Sequence, residues 1–194
     1  MPFPTTTAKR FLIALIFINF LIILAAGFMM PVWAEFVHKI HGDIRTAGNA
    51  ICIFSIILGF FTWIAGKIEN QIGHEEFILA LSQALFAISY LGYFWVKSPV
   101  DLYLVQIALG ISGAIQVPAL YALYERYIPK SQSTFYWGMW AGTYNIAIGV
   151  GALISAYTVH HFGFNTMFGL LFSVSLLCFL VILGTMLKIR YTAD

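Results

Sequence analysis

Charged residues cut the chain into six long apolar stretches, at roughly 11–34, 46–65, 77–96, 102–123, 133–158 and 166–187, and no Lys, Arg, Asp or Glu falls inside them. A helix crossing the hydrocarbon core of a bilayer needs about 20 consecutive apolar residues. An ionised group at mid-bilayer costs at least a few kcal/mol, so the gaps between charges mark where lipid fits. Interior glycines and prolines are compatible with this reading, because membrane helices tolerate them better than soluble helices do. A barrel would alternate with period two and turn polar residues to its lumen; the apolar runs here are continuous. The pattern predicts an all-α integral membrane protein with six transmembrane helices, residues 1–194 forming one membrane domain.

Composition sharpens the exclusion. Hydrophobic residues make up 61% of the chain and charged residues 9%, with a mean hydropathy of +0.88. Soluble domains carry about a quarter charged residues, so a cytosolic enzyme, a nucleic-acid binder and a disordered chain are all excluded. The net charge of +2 implies no polyanionic partner, and the expected surroundings are a lipid bilayer. Basic residues are distributed unevenly: Lys9, Arg10, Lys67, Arg126, Lys130, Lys188 and Arg190 fall on one side, Lys39, Arg45 and Lys97 on the other. The positive-inside rule then predicts both termini in the cytoplasm, with the plasma (inner) membrane as the expected host. The first apolar stretch is too long for a signal-peptide core and is followed by no small-residue cleavage site, so it is expected to stay as the first helix.

The chemical inventory points away from catalysis. Cys52 and Cys178 lie inside spans, where a free thiol behaves as a small hydrophobe. His160 and His161 are adjacent, point to different sides of a helix and have no carboxylate joining them at ligand spacing, while His38 and His41 sit just beyond the first span. No GxSxG, HExxH or paired carboxylate occurs, and the serines of the spans have no intramembrane histidine to activate them. No enzyme activity, metal or cofactor is expected.

Between the second and third stretches the chain reads Gly66-Lys67-Ile68-Glu69-Asn70-Gln71-Ile72-Gly73-His74-Glu75-Glu76. Its glycines suit a tight cytoplasmic turn, with Asn70 placed to bond backbone N–H groups. In this position the segment resembles the loop signature of the major facilitator superfamily, G-x-x-x-D-x-x-G-[RK]-[RK]. Gly66 and Gly73 match, whereas Asn70 stands for the Asp and His74-Glu75 for the basic pair. Two further segments are similar to the family. Helix four ends in Tyr124-Glu125-Arg126, an acidic–basic cluster, and helix five carries Gly138, Gly142, Gly149 and Gly151 without the Gly-Pro step of the antiporter motif. Phe162-Gly163-Phe164 resembles the short outer turn into helix six, and Pro31 has a loose counterpart in Pro118.

The resemblance implies one half of a major-facilitator-like fold, a 3+3 inverted repeat. A single half leaves its path-lining face without a partner. A parallel homodimer, or a homologous half encoded elsewhere, would complete it. The implied path is lined from helices one and four, then two and five, and Asn19, Met30, Gln106, Gly113, Gln116, Tyr121, Trp140, Tyr144 and Asn145 are the candidate lining residues. Gly66, Asn70, Gly73, Glu125 and Arg126 are the candidate cytoplasmic gating group. Asn19, Gln116 and Asn145 read equally as interhelical hydrogen bonds. The Gly138–Gly142–Gly149 stripe reads first as a close helix–helix contact. With no ionisable group at mid-depth, and Glu35 the nearest carboxylate on helix one, the expected substrate is a small neutral or amphipathic solute moved by alternating access. The competing expectation is a non-transporting membrane scaffold or assembly subunit.

Overall fold

The computed structural model describes the backbone of residues 6–193 and the side chains of residues 9–185. Helices α1 (Thr6–Met29), α2 (Trp33–Lys39), α3 (Ile44–Ile72), α4 (Glu75–Gly92), α5 (Pro99–Tyr127) and α6 (Ser133–Ala193) follow one another, with single 3₁₀ turns at Tyr93–Trp95 and Lys130–Gln132. Five of these helices are long and apolar enough to cross a membrane, α2 being the short one. Polar caps set where they begin. Asp43 and Thr46 form a reciprocal capping box at α3, and Ser98 and Asp101 form one at α5 with Pro99 at its first position. The backbone N–H of Thr46 holds the Asp43 carboxyl below the usual carboxylate range.

Three boundaries differ from the apolar pattern. The first stretch does not stay helical to residue 34: α1 stops at Met29 and the chain turns through Met30, Pro31 and Val32 into α2. Proline disfavours a helical residue before it and has no N–H to donate. Glu35 therefore belongs to α2. The expected cytoplasmic turn is also shorter. α3 runs through Gly66 and Asn70 to Ile72 and is closed by Gly73 in the left-handed conformation, φ 66°, so only Gly73 and His74 join it to α4. Finally, α6 spans 61 residues and is broken at Gly163, where φ 78° and ψ 176° are open to glycine almost alone. Straight, it would be about 90 Å long, roughly three bilayer cores. The break divides it into arms at residues 133–162 and 164–193.

Packing pairs α1 with α6 and α3 with α5, while α4 bridges α5 and α6. Glycines permit the closest approaches. A Cβ on Gly27 would lie 2.8 Å from the Ile148 carbonyl oxygen, and one on Gly151 would strike the Leu24 carbonyl oxygen. On the other side, a Cβ on Gly110 would lie 3.0 Å from the Phe54 carbonyl oxygen. Gly138, Gly142 and Gly149 have nothing within 4 Å of such a position among the described residues, so that stripe makes no close helix contact among them.

Two cores hold the ends. At one, Phe36 of α2 packs on Tyr93, Phe164 and Phe168 with ring centroids 5.7, 5.3 and 5.2 Å away. This end carries Lys39, Arg45, Lys97 and the α6 break, and is termed distal below. At the other, Leu12, Leu15, Leu123, Tyr124, Trp140 and Cys178 are buried together. The second cysteine, Cys52, is exposed on α3. Most of α3 faces outward, including Phe60, Trp63 and Ile64, as do Ile146 and Leu153 on the first arm of α6.

Candidate functional site: a cavity with two polar ends

Between α1, α3, α4 and α5 lies a cavity of about 700 Å³, a volume in the range of small-molecule sites. Trp33 of α2, Tyr144 of the first α6 arm and Ser175 of the second complete its wall. Its sides are apolar and aromatic, with Phe54, Phe86, Tyr90 and Leu109 prominent. It is not closed, because Met30, Ile51 and Tyr144 at its rim are 63%, 53% and 41% exposed.

The polar groups are few and specific. Gln106 donates to the Tyr93 hydroxyl at 3.0 Å. Ser175 donates to the Gln83 backbone carbonyl at 3.3 Å, with the Gln83 side-chain oxygen at 3.4 Å. Two lining donors, Gln116 Nε2 and Trp33 Nε1, are buried with no partner among the described residues. None of the described lining residues is Asp, Glu, Lys, Arg or His. The site can hold and orient a molecule by shape and hydrogen bonds; it offers no nucleophile–base pair.

Compared with models of known families, residues 15–192 match the Major Facilitator Superfamily. The chain belongs to this superfamily. Among curated proteins no sequence matches. Major facilitator proteins are membrane transporters, and the long apolar helices are those of a multi-pass membrane protein.

Of the residues expected to line a major-facilitator path, the structure brings Met30, Gln106, Gly113, Gln116 and Tyr144 together on the cavity wall. Four others lie elsewhere. Asn19 is buried in α1, its Nδ2 unpartnered among the described residues, but it is outside the lining. Asn145 is exposed and donates to the Ala141 carbonyl of its own helix at 2.8 Å. Tyr121 and Trp140 belong to an aromatic group with Tyr124 and Trp137, Tyr124 and Trp140 being 4.2 Å apart. Tyr121 and Trp140 lie one helical turn beyond the lining residues Val117 and Tyr144, past the end of the cavity.

Sequence reasoning missed Gln83, Tyr93, Trp33 and Ser175. The family resemblance weighted helices one, two, four and five, whereas Gln83 lies on α4, the third span. A glutamine midway along an apolar helix was the available signal, since intramembrane polar residues mark function by default.

The expected gating group is also rearranged. Arg126 does not pair with its neighbour Glu125, because adjacent helical residues diverge by about 100°. It binds Glu75 and lies 3.7 Å from Glu76, both in the first turn of α4, and Glu125 is exposed. Gly66 faces Pro118 across the α3–α5 contact, and Asn70 is exposed on α3. One carboxylate went unnoticed: Glu69 is 6% exposed, and neither side-chain oxygen has a hydrogen-bond partner among the described residues.

Proposed function

We propose that this chain is a transporter subunit, one six-span half that moves a small neutral or amphipathic solute by alternating access as a parallel homodimer. The observation that carries the proposal is a cavity lined without ionised groups and open on one side. Counting the two arms of α6 separately gives six spans, in keeping with a 3+3 repeat and with both termini in the cytoplasm of a plasma-membrane protein.

The geometry supports a particular pairing. α3 packs on α5 and the first arm of α6 packs on α1, so the two flank the cavity. A two-fold axis through its open side sets α3 of one copy against the α6 arm of its partner, and the same contact recurs by symmetry. Both faces are apolar and exposed, and Gly138 and Gly142 form a GxxxG pair that meets no neighbour among the described residues. Small residues so spaced let helices approach closely in membranes.

The test uses one chain carrying Phe60→Cys and Gly142→Cys in a Cys52→Ser, Cys178→Ser background. Oxidation should give a crosslinked two-copy band in vesicles, and the solubilised particle should have twice the chain's mass. Paired cysteines on α1 and α5 should then crosslink in two mutually exclusive patterns. A persistent monomer overturns the homodimer, and a single unchanging pattern overturns alternating access in favour of a membrane scaffold.

A further inference from the structure

We propose that the cavity is a binding site for an uncharged, elongated solute with an apolar middle and hydrogen-bond acceptors toward both ends. The assignment rests on reading the cavity as the solute path, and it follows from where the polar groups lie.

Those groups gather at two levels. Gln106 and Gln116 are ten residues apart on α5, about 15 Å along the helix. Gln83 and Tyr93 are ten residues apart along α4 and the turn that continues it. The Gln106–Tyr93 bond fixes the distal level, next to Trp33 at the start of the helix whose Phe36 packs on Tyr93. The Gln83–Ser175 contact, with Gln116, forms the inner level. Between them the wall is mostly apolar, with Leu109, Gly113, Phe54, Phe86 and Met29, and the hydroxyl-bearing Ser55 and Tyr90 interrupt it.

Each level keeps one donor nitrogen without a partner among the described residues: Trp33 Nε1 at the distal one, and Gln116 Nε2 at the inner one, on a side chain 5% exposed. An indole nitrogen can only donate, so its complement must be an acceptor. A buried donor left unmatched is a standing penalty that a ligand oxygen removes.

Charge on the solute is disfavoured in both signs. An anion would find donors but no counter-charge, and an ion taken from water into such a wall goes uncompensated. A cation would be drawn to the faces of Phe54, Phe86 and Tyr90, yet the two unpartnered donors present their positive ends to it. An uncharged body with oxygens near its ends matches both unpartnered donors at once.

The assignment is tested with the full chain in lipid nanodiscs and three fluorescent probes sharing one ring system with an acceptor group at each end: neutral dimethyl naphthalene-2,6-dicarboxylate, the free dicarboxylate, and its bis-choline ester. Binding is read as probe anisotropy, with empty nanodiscs subtracted. The neutral probe should bind at least about tenfold more tightly than either charged one. Gln116→Leu should weaken it about five- to tenfold, the loss of one hydrogen bond, and Trp33→Phe should act in the same direction. Because Gln116→Leu keeps the volume and removes an unmatched amide, the unliganded melting point should hold or rise, which separates lost binding from lost folding. A charged probe that binds as tightly as the neutral one, or wild-type affinity in both variants, overturns the assignment. Binding as expected without flux into vesicles upholds it and overturns the transport reading. Flux of a charged probe alone upholds transport and overturns the assignment.

Discussion

Gly149 and Gly151 stand two residues apart on the first arm of α6, and the same substitution at each should have opposite consequences. At Gly151, an added methyl would strike the Leu24 carbonyl oxygen and come within 3.3 Å of Gly27 Cα. Both are backbone atoms of α1, which cannot rotate aside as a side chain can. The helices must therefore move apart, loosening the reciprocal contact of Gly27 with Ile148. Overpacking of this kind costs about 1–3 kcal/mol. At Gly149 a methyl meets nothing within 4 Å, and alanine is the better helix former by up to about 1 kcal/mol. Gly151→Ala should thus be less stable than Gly149→Ala by at least about 1 kcal/mol, since the propensity gain is common to both and only Gly151 bears the strain. Reversible unfolding in mixed micelles, at detergent and protein concentrations where each variant is monomeric, measures the difference. Equal stability in the two variants, or a more stable Gly151→Ala, would refute the α1–α6 packing described here.

Three further outcomes are expected. Gly163→Ala places an L-residue in a glycine region and should destabilise the chain by about 1–3 kcal/mol, read in the same unfolding assay; an unchanged midpoint would show that the backbone is not held there. Arg126→Gln removes the contacts to Glu75 and Glu76, and because Arg126 is 46% exposed the loss should stay below about 1 kcal/mol, shrinking as salt rises. Asp43→Ala should destabilise the start of α3 at neutral pH. The folded carboxyl is held below its ordinary value by the Thr46 N–H, so its contribution is present above the unfolded pKa and lost as pH falls through the folded one. The difference between variant and parent should vanish in acid, and a gap that persists at low pH would sink this account.

The all-helical, membrane-spanning character was legible because the signal is solvation. Lipid excludes charge over the length of a span, and the eighteen charged side chains mark the gaps. Boundaries were less legible where two rules competed. Apolar continuity carried the first span to residue 34, while Pro31 ended it at Met29. Two glycines seven apart read as one turn, yet only Gly73 takes the left-handed conformation. Of the candidate site, Gln106, Gly113 and Gln116 could be found because they sit on one helix at helical spacing. Gln83, Ser175 and Tyr93 could not be joined to them by periodicity, since which helix faces which is decided by contacts such as Gly110 on Phe54 and Gly151 on Leu24. Two glycines of the same helix therefore look identical in a string and differ wholly in space.

The distal link between the two α6 arms is a single glycine with no slack on either side. Tyr144 rides on one arm and Ser175 on the other, and both face the cavity. Two torsions at Gly163 are then the entire articulation, so neither arm can slide along its axis without dragging the other. A change in those torsions would swing one arm against the other and alter the width of the space between them, although Gly163 itself lies outside the cavity lining.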